Sequence, residues 1–264
     1  EVAFACELIR RRQLAPPSMA ISSHAWPWPL KLFSFGGLRI VRAESELIFD
    51  SKAQRRPLEL LKGILALGGQ HVADTQLIEW LWPGAEGDAG QRALITTLYR
   101  LREMLGLKQA IIHSGGRLSL NPQLCWFDGW ALGACLDSGR IEEGYTLYEG
   151  DFLGAEPDPW LIPLREQFQR RVVNGLTTAA EQSRRGGDGP TVERLLNATI
   201  GVDELYEPAY QQLIQHKLSQ QQPTLPLLTY QRCRRTLAHR LGVMPSPLTV
   251  ALCQSLDLNT SSNN

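Results

Sequence analysis

The 264 residues carry 27 Lys or Arg against 27 Asp or Glu and are 43% hydrophobic. That is the balance of a globular chain long enough for one large or two ordinary domains. No apolar run approaches the ~20 residues that span a bilayer, and the five cysteines (Cys6, Cys125, Cys135, Cys233, Cys253) are scattered, with no CxxC pair. The five histidines fall in no ligand-like pattern around them, so a disulfide framework and a structural zinc are not expected. The charge is uneven: residues 30–125 hold 12 basic against 9 acidic side chains, and residues 126–264 hold 12 against 16. A mildly basic part joined to an acidic one suits a nucleic-acid module followed by a protein-interaction module.

Residues 1–13 (EVAFACELIRRRQ) have a short helical pattern ending in three arginines. A start at Glu1 rather than Met is expected of a segment cut from a longer protein. The following LAPPSMAISSHAWPWPL contains Pro16, Pro17, Pro27 and Pro29 and predicts a linker, because proline disrupts both helix and central strand. From Leu30 the pattern turns β-prone. KLFSF, LRIV and ELIF are separated by Gly36-Gly37 and by a polar turn at 43–45, which predicts a small antiparallel sheet. Pro57 suits the first turn of a helix. Leu58, Leu61, Ile64, Leu65 and Leu67 give that helix an apolar face, and Gly68-Gly69 ends it. Asp74 is placed to cap a second helix, TQLIEWLW, with Leu77, Ile78 and Leu81 inward and Pro83 as its stop.

A loop rich in Gly, Glu and Asp leads to DAGQRALITTLYRLREMLG, the most informative stretch of the chain. Asp88 suits a helix start, and Gly106 suits the left-handed residue after a helix end. Leu94, Leu98, Leu101 and Leu105 recur at helical spacing and form a core stripe. The opposite surface carries Arg92, Thr96, Tyr99 and Glu103, flanked by Gln91, Thr97, Arg100 and Arg102. It is rich in groups that donate to phosphate oxygens or base edges. Ala110 to Ile112 and Arg117 to Leu120 then predict two short strands around Gly115-Gly116, with His113 at the turn and Arg117 near the hairpin tip.

Residues 130–256 are helical by pattern. Leu161, Leu164, Phe168, Val172, Leu176 and Ala179 form one long stripe. Leu195, Leu205, Tyr210, Leu213, Ile214, Leu218, Leu228, Leu237 and Leu241 continue the packing, and the short Gly or Pro breaks between helices fit stacked helical pairs.

The order sheet, helix, helix, helix, hairpin, with LYRLREMLG in the third helix, resembles the OmpR/PhoB-type winged helix-turn-helix. Downstream come Asn121, Trp126, Asp128 and Trp130 in NPQLCWFDGWALGACL, then LYEGDFL and WLIPLREQFQRRV. The ending LAHRLGVMPSPLTVALCQSL supplies Leu237, Leu241, Gly242, Pro245 and Pro247. In this order the segments resemble the bacterial transcriptional activator domain of the antibiotic-regulatory activators. In those proteins a tetratricopeptide-like helical domain directly follows an OmpR-type winged helix. Two stretches depart from the family: RRGGDGPTVERLL stands where a Gly-x-x-x-x-Ala turn is usual, and QQQPTLPLL where a second repeat turns. WPWPLKLFSFGGL and KAQRRPLELL are similar to the C-terminal end of long multidomain bacterial regulators with upstream nucleotide-binding and helical-repeat parts. Residues 1–13 are accordingly expected to be the last helix of such a region.

The resemblance implies an α+β architecture in four parts. These are an upstream end and linker over 1–29, a winged helix-turn-helix over 30–125, an all-α tetratricopeptide-like domain over 126–258 and a disordered tail over 259–264. It implies that Arg92, Thr96, Thr97 and Arg100 face the major groove, with Gln91 and Arg102 beside them. It further implies that Tyr99 reaches sugar or phosphate, that Arg117 in the wing skirts the minor groove, and that Lys52, Arg55 and Arg56 reach the backbone. Double-stranded DNA, RNA polymerase, a second copy and upstream sensor domains of the same chain are the implied partners, in the bacterial cytoplasm at the nucleoid and without a membrane. The alternative is a protein-interaction module whose winged helix has lost DNA binding. Enzyme readings find little support: no G-x-x-x-x-G-K-[ST] motif is present, and the adjacent Glu142 and Glu143 point apart on a helix. No cofactor or metal is expected.

Overall fold

The computed structural model describes residues 2–12, 14–17, 21–49, 54–85, 88–154, 158–220 and 224–253. The chain divides into two compact units, Glu1–Arg165 and Glu166–Asn264.

The first unit opens with helix α1 (Val2–Arg12) and then builds a four-stranded sheet from β1 (Leu30–Phe33), β2 (Arg39–Arg42), β3 (Ser45–Glu46) and β7 (Cys125–Phe127), in the order β3-β2-β1-β7. β1 pairs antiparallel with β2, Leu30 opposite Arg42, and parallel with β7, Leu30 opposite Cys125. A parallel pair needs a long crossover, and here the described residues between β1 and β7 contain β2 and β3, three α-helices and a further hairpin. Leu30, Leu32 and Ile40 are fully buried, and Trp28, Trp126 and Ala131 close a cluster beside them. The third strand is shorter than ELIF suggested. Ala43 and Glu44 adopt left-handed φ values, only Ser45–Glu46 pairs with β2, and beyond it the Leu47 N–H reaches the Ile40 carbonyl.

Asp128, the first residue of α5 (Asp128–Asp137), fixes where that crossover ends. Its buried carboxylate accepts from the Ser34 N–H (2.5 Å), the Ser34 hydroxyl (2.6 Å) and the Phe35 N–H (3.1 Å). Burial pushes its pKa up to about 6, against the opposing pull of the Ser34, Phe35 and Gly129 donors. α6 (Ile141–Leu147) packs on α5.

Inside the crossover α2 (Arg55–Ala66) packs on both α3 (Asp74–Leu81) and α4 (Asp88–Leu105). Its core face is Pro57, Leu60, Leu61, Ile64 and Leu65, so Leu60 takes the central place that the spacing assigned to Leu58 and Leu67, which are half-buried. Two glycines set how closely these helices approach. A Cβ on Gly63 would lie 2.9 Å from Leu77 Cδ2, and one on Gly90 would lie 2.5 Å from Ile78 Cγ2. β5 (Ile111–Ser114) and β6 (Arg117–Leu120) form the predicted hairpin, joined at its edge by β4 (Val72–Ala73). Gly115 and Gly116 have φ of 58° and 69°, the pair of left-handed residues that a tight two-residue hairpin turn demands. This is a winged helix-turn-helix.

The second unit takes in most of α7 (Ile162–Arg185), then α8 (Gly189–Val202), α9 (Glu207–Ser219), α10 (Thr224–Leu241) and a helical segment at 247–253. α8 packs on α9 and α9 on α10, the stepwise stacking of a tetratricopeptide-like array. Val172, Leu176, Leu195, Leu196, Ile200, Tyr210, Leu213, Ile214, Cys233 and Leu237 are its core. Leu205, Leu228 and Leu241, expected inside, are exposed: Leu205 lies in the α8–α9 connection and the other two on the outer side of α10. The closing segment is pinned by Glu207, which accepts from the Ser246 N–H (2.8 Å), the Ser246 hydroxyl (2.7 Å) and the Thr249 hydroxyl. Burial alone would raise the Glu207 pKa, yet those donors together hold it below the ordinary carboxylate value.

Candidate nucleic-acid interface

α4 ends as its sequence requires. Gly106 takes the left-handed conformation (φ 62°), and Arg42 Nη1 donates to the Leu105 carbonyl at 3.0 Å, placing a cation on the negative end of the helix. Leu94, Leu98, Leu101 and Leu105 are buried as predicted. Thr97 joins them at 7% exposure and does not belong to the wet face where the sequence placed it. It follows Thr96 by one residue, and that step of ~100° carries it around the helix toward the core.

The start of α3, the side of α4 and the wing meet at one buried carboxylate. Asp74 does not cap α3 as expected: Ala73 holds the N-cap position, with no side-chain bond. The Asp74 Oδ2 instead accepts from Gln91 Nε2 at 3.0 Å and lies 2.8 Å from His113 Nε2, while the Asp74 N–H donates to the Gly116 carbonyl. Oδ1 is buried without a hydrogen-bond partner among the described residues. His113 therefore sits in β5, half-buried, and is not an exposed turn residue. Arg102 adds a second tie, donating from Nε (3.2 Å) and Nη2 (2.6 Å) to the Ile111 carbonyl.

The remaining expected contact residues divide by what already occupies them. Arg117, at the start of β6, donates to the His71 carbonyl at 2.9 Å and stays exposed. Arg55 and Arg56 both pair with Glu59 at 2.8 Å, and Arg56 also donates to the Leu81 carbonyl. Lys52 lies outside the described residues. Arg92, Thr96, Tyr99 and Arg100 are brought together on the exposed face of α4. Thr96 donates its hydroxyl back to the Arg92 carbonyl (2.8 Å), so its oxygen lone pairs are available outward. The guanidinium groups of Arg92 and Arg100 have no hydrogen-bond or ion-pair partner among the described residues. Eight residues at ~1.5 Å rise set them about 12 Å apart along the helix, and a major groove is about as wide. A guanidinium there has five donors in a planar fork that matches phosphate oxygens or the O6 and N7 of guanine.

One exposed residue of this face escapes a reading by composition. Ile95 is 51% exposed beside Tyr99 at 61%. An apolar residue is assigned to the core by default, but Ile95 lies off the 94/98/101/105 stripe, and that displacement was the available signal.

Residues 137–256 match the family model described as the bacterial transcriptional activator domain. Among solved structures the chain is similar to Mycobacterium tuberculosis EmbR in complex with a low affinity phosphopeptide, with a TM-score of 0.60 and 19% sequence identity over 88% of this chain. The chain spans 66% of that protein's chain, just under two thirds, and at this identity the likeness is one of fold. Comparison with curated protein sequences returns no match.

Proposed function

We propose that the protein is a DNA-binding transcriptional regulator that reads a defined promoter sequence through α4, a reading supported by the match of residues 137–256 to the family model of the bacterial transcriptional activator domain and by the winged helix-turn-helix that precedes them. The carrying observation is the exposed face of α4, where Arg92 and Arg100 stand without partners among the described residues, about 12 Å apart, beside Thr96 and Tyr99. Arginines held for structure are occupied, as Arg102 and Arg42 are by backbone carbonyls. Desolvating two free guanidiniums on one helix face favours an anionic or acceptor-rich partner, and a duplex groove supplies both.

In this reading Arg92 and Arg100 contact bases or phosphates, and Tyr99 and Thr96 contact the backbone or base edges. Arg117 in the wing approaches the adjacent groove. Gln91 and Arg102 act one step back, holding α4 against the wing through Asp74 and Ile111. Arg55, Arg56 and Lys52 contribute to the backbone approach, the first two once Glu59 is displaced. The DNA-reading part is residues 30–125. The helical part, residues 126–258, communicates with a second copy, with RNA polymerase or with sensor segments upstream in the same chain. The EmbR structure is a phosphopeptide complex, which supports a protein partner for a regulator of this build. The role is non-enzymatic and belongs in the bacterial cytoplasm, at the nucleoid. Among the described residues no helix is long and apolar enough to cross a membrane.

Selection of bound duplexes from a random-sequence library tests the proposal. Enrichment of one motif, lost in Arg92→Ala and Arg100→Ala, is the expected result. Weak and uniform retention of all sequences, unchanged in both variants, refutes it.

A further inference from the structure

Ile95 stands at the seam between the polar face of α4 and the side tied to the wing. Its neighbours in sequence spacing are Arg92 one turn before and Tyr99 one turn after, both exposed. A β-branched side chain is a weaker helix former than the Lys, Glu or Gln that ordinarily fill an exposed helical position, and more than half of it is in water. Leu94 and Leu98 already close the core on either side of it. Neither the core nor helix propensity calls for an isoleucine there, and what distinguishes it from the other exposed aliphatic residues is its place between Arg92 and Tyr99 on α4.

We infer that Ile95 reads the C5-methyl group of a thymine, so that the site bound by this protein carries a methyl-dependent T·A pair under the second turn of α4. The inference rests on the proposed DNA-binding reading and sharpens it. In the major groove each base pair presents donors and acceptors, and thymine alone of the standard bases presents a methyl group. A side chain with neither donor nor acceptor would leave the polar edges of G, C or A desolvated and unpaired, a penalty that steers it away from them. Against a thymine methyl the same side chain gains apolar contact on a surface that is otherwise wet. Ile95 also lies in the N-terminal half of α4, the half that meets base edges when such a helix enters the groove. The polar neighbours Arg92 and Thr96 then fix register, and Ile95 selects.

The test uses the full chain and a duplex carrying the motif enriched from a random library, in which each thymine is replaced in turn by deoxyuridine. That exchange removes one methyl group and leaves the pairing intact. The expected result is one position, or two adjacent ones, where uracil weakens binding about fourfold, the worth of one buried methyl group. Ile95→Ala weakens binding to the thymine duplex by at least as much and abolishes the thymine-to-uracil difference at that position. Because Ile95 is exposed and alanine is the better helix former, the variant is expected to fold; matching circular dichroism checks this. An enriched motif with no methyl-sensitive position, or with sensitivity that survives in Ile95→Ala, overturns the inference and leaves the DNA-binding reading standing. Failure of the library to enrich any motif overturns both.

Discussion

Replacing Asp74 with alanine removes the group on which α3, α4 and the wing converge. The native carboxylate accepts from Gln91 Nε2 at 3.0 Å, lies 2.8 Å from His113 Nε2, and is 4% exposed. Hydrogen bonds to a charged group net about 1.5–3 kcal/mol each. Against that gain stands the uncompensated desolvation of Oδ1, which has no partner among the described residues and costs about 1–3 kcal/mol. Two such bonds less that penalty leave, at mid-range, a net loss on Asp74→Ala of about 2.5 kcal/mol. At about 2–4 °C per kcal/mol for a unit of this size, the melting midpoint of the winged-helix transition falls by about 5–10 °C. The assay is thermal and urea unfolding followed by circular dichroism, with Gln91→Ala and the double variant completing a cycle. A coupling of at least about 0.5 kcal/mol is expected between two residues in direct contact. An Asp74→Ala midpoint within about 1 °C of wild type, or a coupling of zero, would refute the claim that this carboxylate joins the wing to α4.

Three further outcomes follow from the packing. Asp128 has its folded pKa raised to about 6, so the native state holds its proton more tightly than the unfolded chain. The associated stability is fully present below the unfolded value of ~3.9 and is lost as pH rises through about 6. The unfolding free energy of Asp128→Asn relative to wild type should therefore rise by about 2–3 kcal/mol from pH 4 to pH 7; a flat or falling difference contradicts the assignment. Gly90→Val drives a side chain into Ile78, whose Cγ2 would lie 2.5 Å from the new Cβ, and is expected to cost about 1–3 kcal/mol in urea unfolding; an unchanged midpoint would mean that α3 and α4 separate freely. Of the five thiols Cys125, Cys135 and Cys233 are buried, and burial pushes Cys125 and Cys233 up to about 12, while Cys6 and Cys253 are half-exposed. A disulfide-exchange reagent should titrate two thiols quickly in the native protein and five after denaturation; three or more fast thiols would contradict the buried placements.

Local periodicity carried most of the first unit. The four-leucine stripe of α4, the glycine after it and the paired glycines of the wing each follow from rules that act within a few residues, and each is where the sequence put it. The contacts that assemble those pieces were not legible for the converse reason. Asp74 meets His113 across 39 residues and Asp128 meets Ser34 across 94, and a single carboxylate looks the same in sequence whether it caps a helix or ties a hairpin. β7 is a three-residue strand, too short for any alternation to register. Within the candidate site the polar residues were found by type, but type does not say which are occupied. Arg102 and Arg100 are two residues apart, yet one is spent on the Ile111 carbonyl and the other is free among the described residues. Thr97, expected on the wet face, is buried, whereas Ile95, to which the sequence gave no place in the site, is exposed. On α10 the leucines could not be sorted into inner and outer sides, since that depends on which side α9 packs against.

The claim that α4 reads sequence is tested most directly by measuring the affinity of the protein for an enriched duplex and for a scrambled duplex of equal length, at several salt concentrations, in wild type, Arg92→Ala and Arg100→Ala. A wild-type preference of at least a thousandfold for the enriched duplex is expected. In at least one variant that preference shrinks by about 1–3 kcal/mol for a lost base contact, and a variant that loses a phosphate contact instead shows a salt slope smaller by about 0.9. Equal affinity for both duplexes in all three proteins, with an unchanged salt slope, would contradict it.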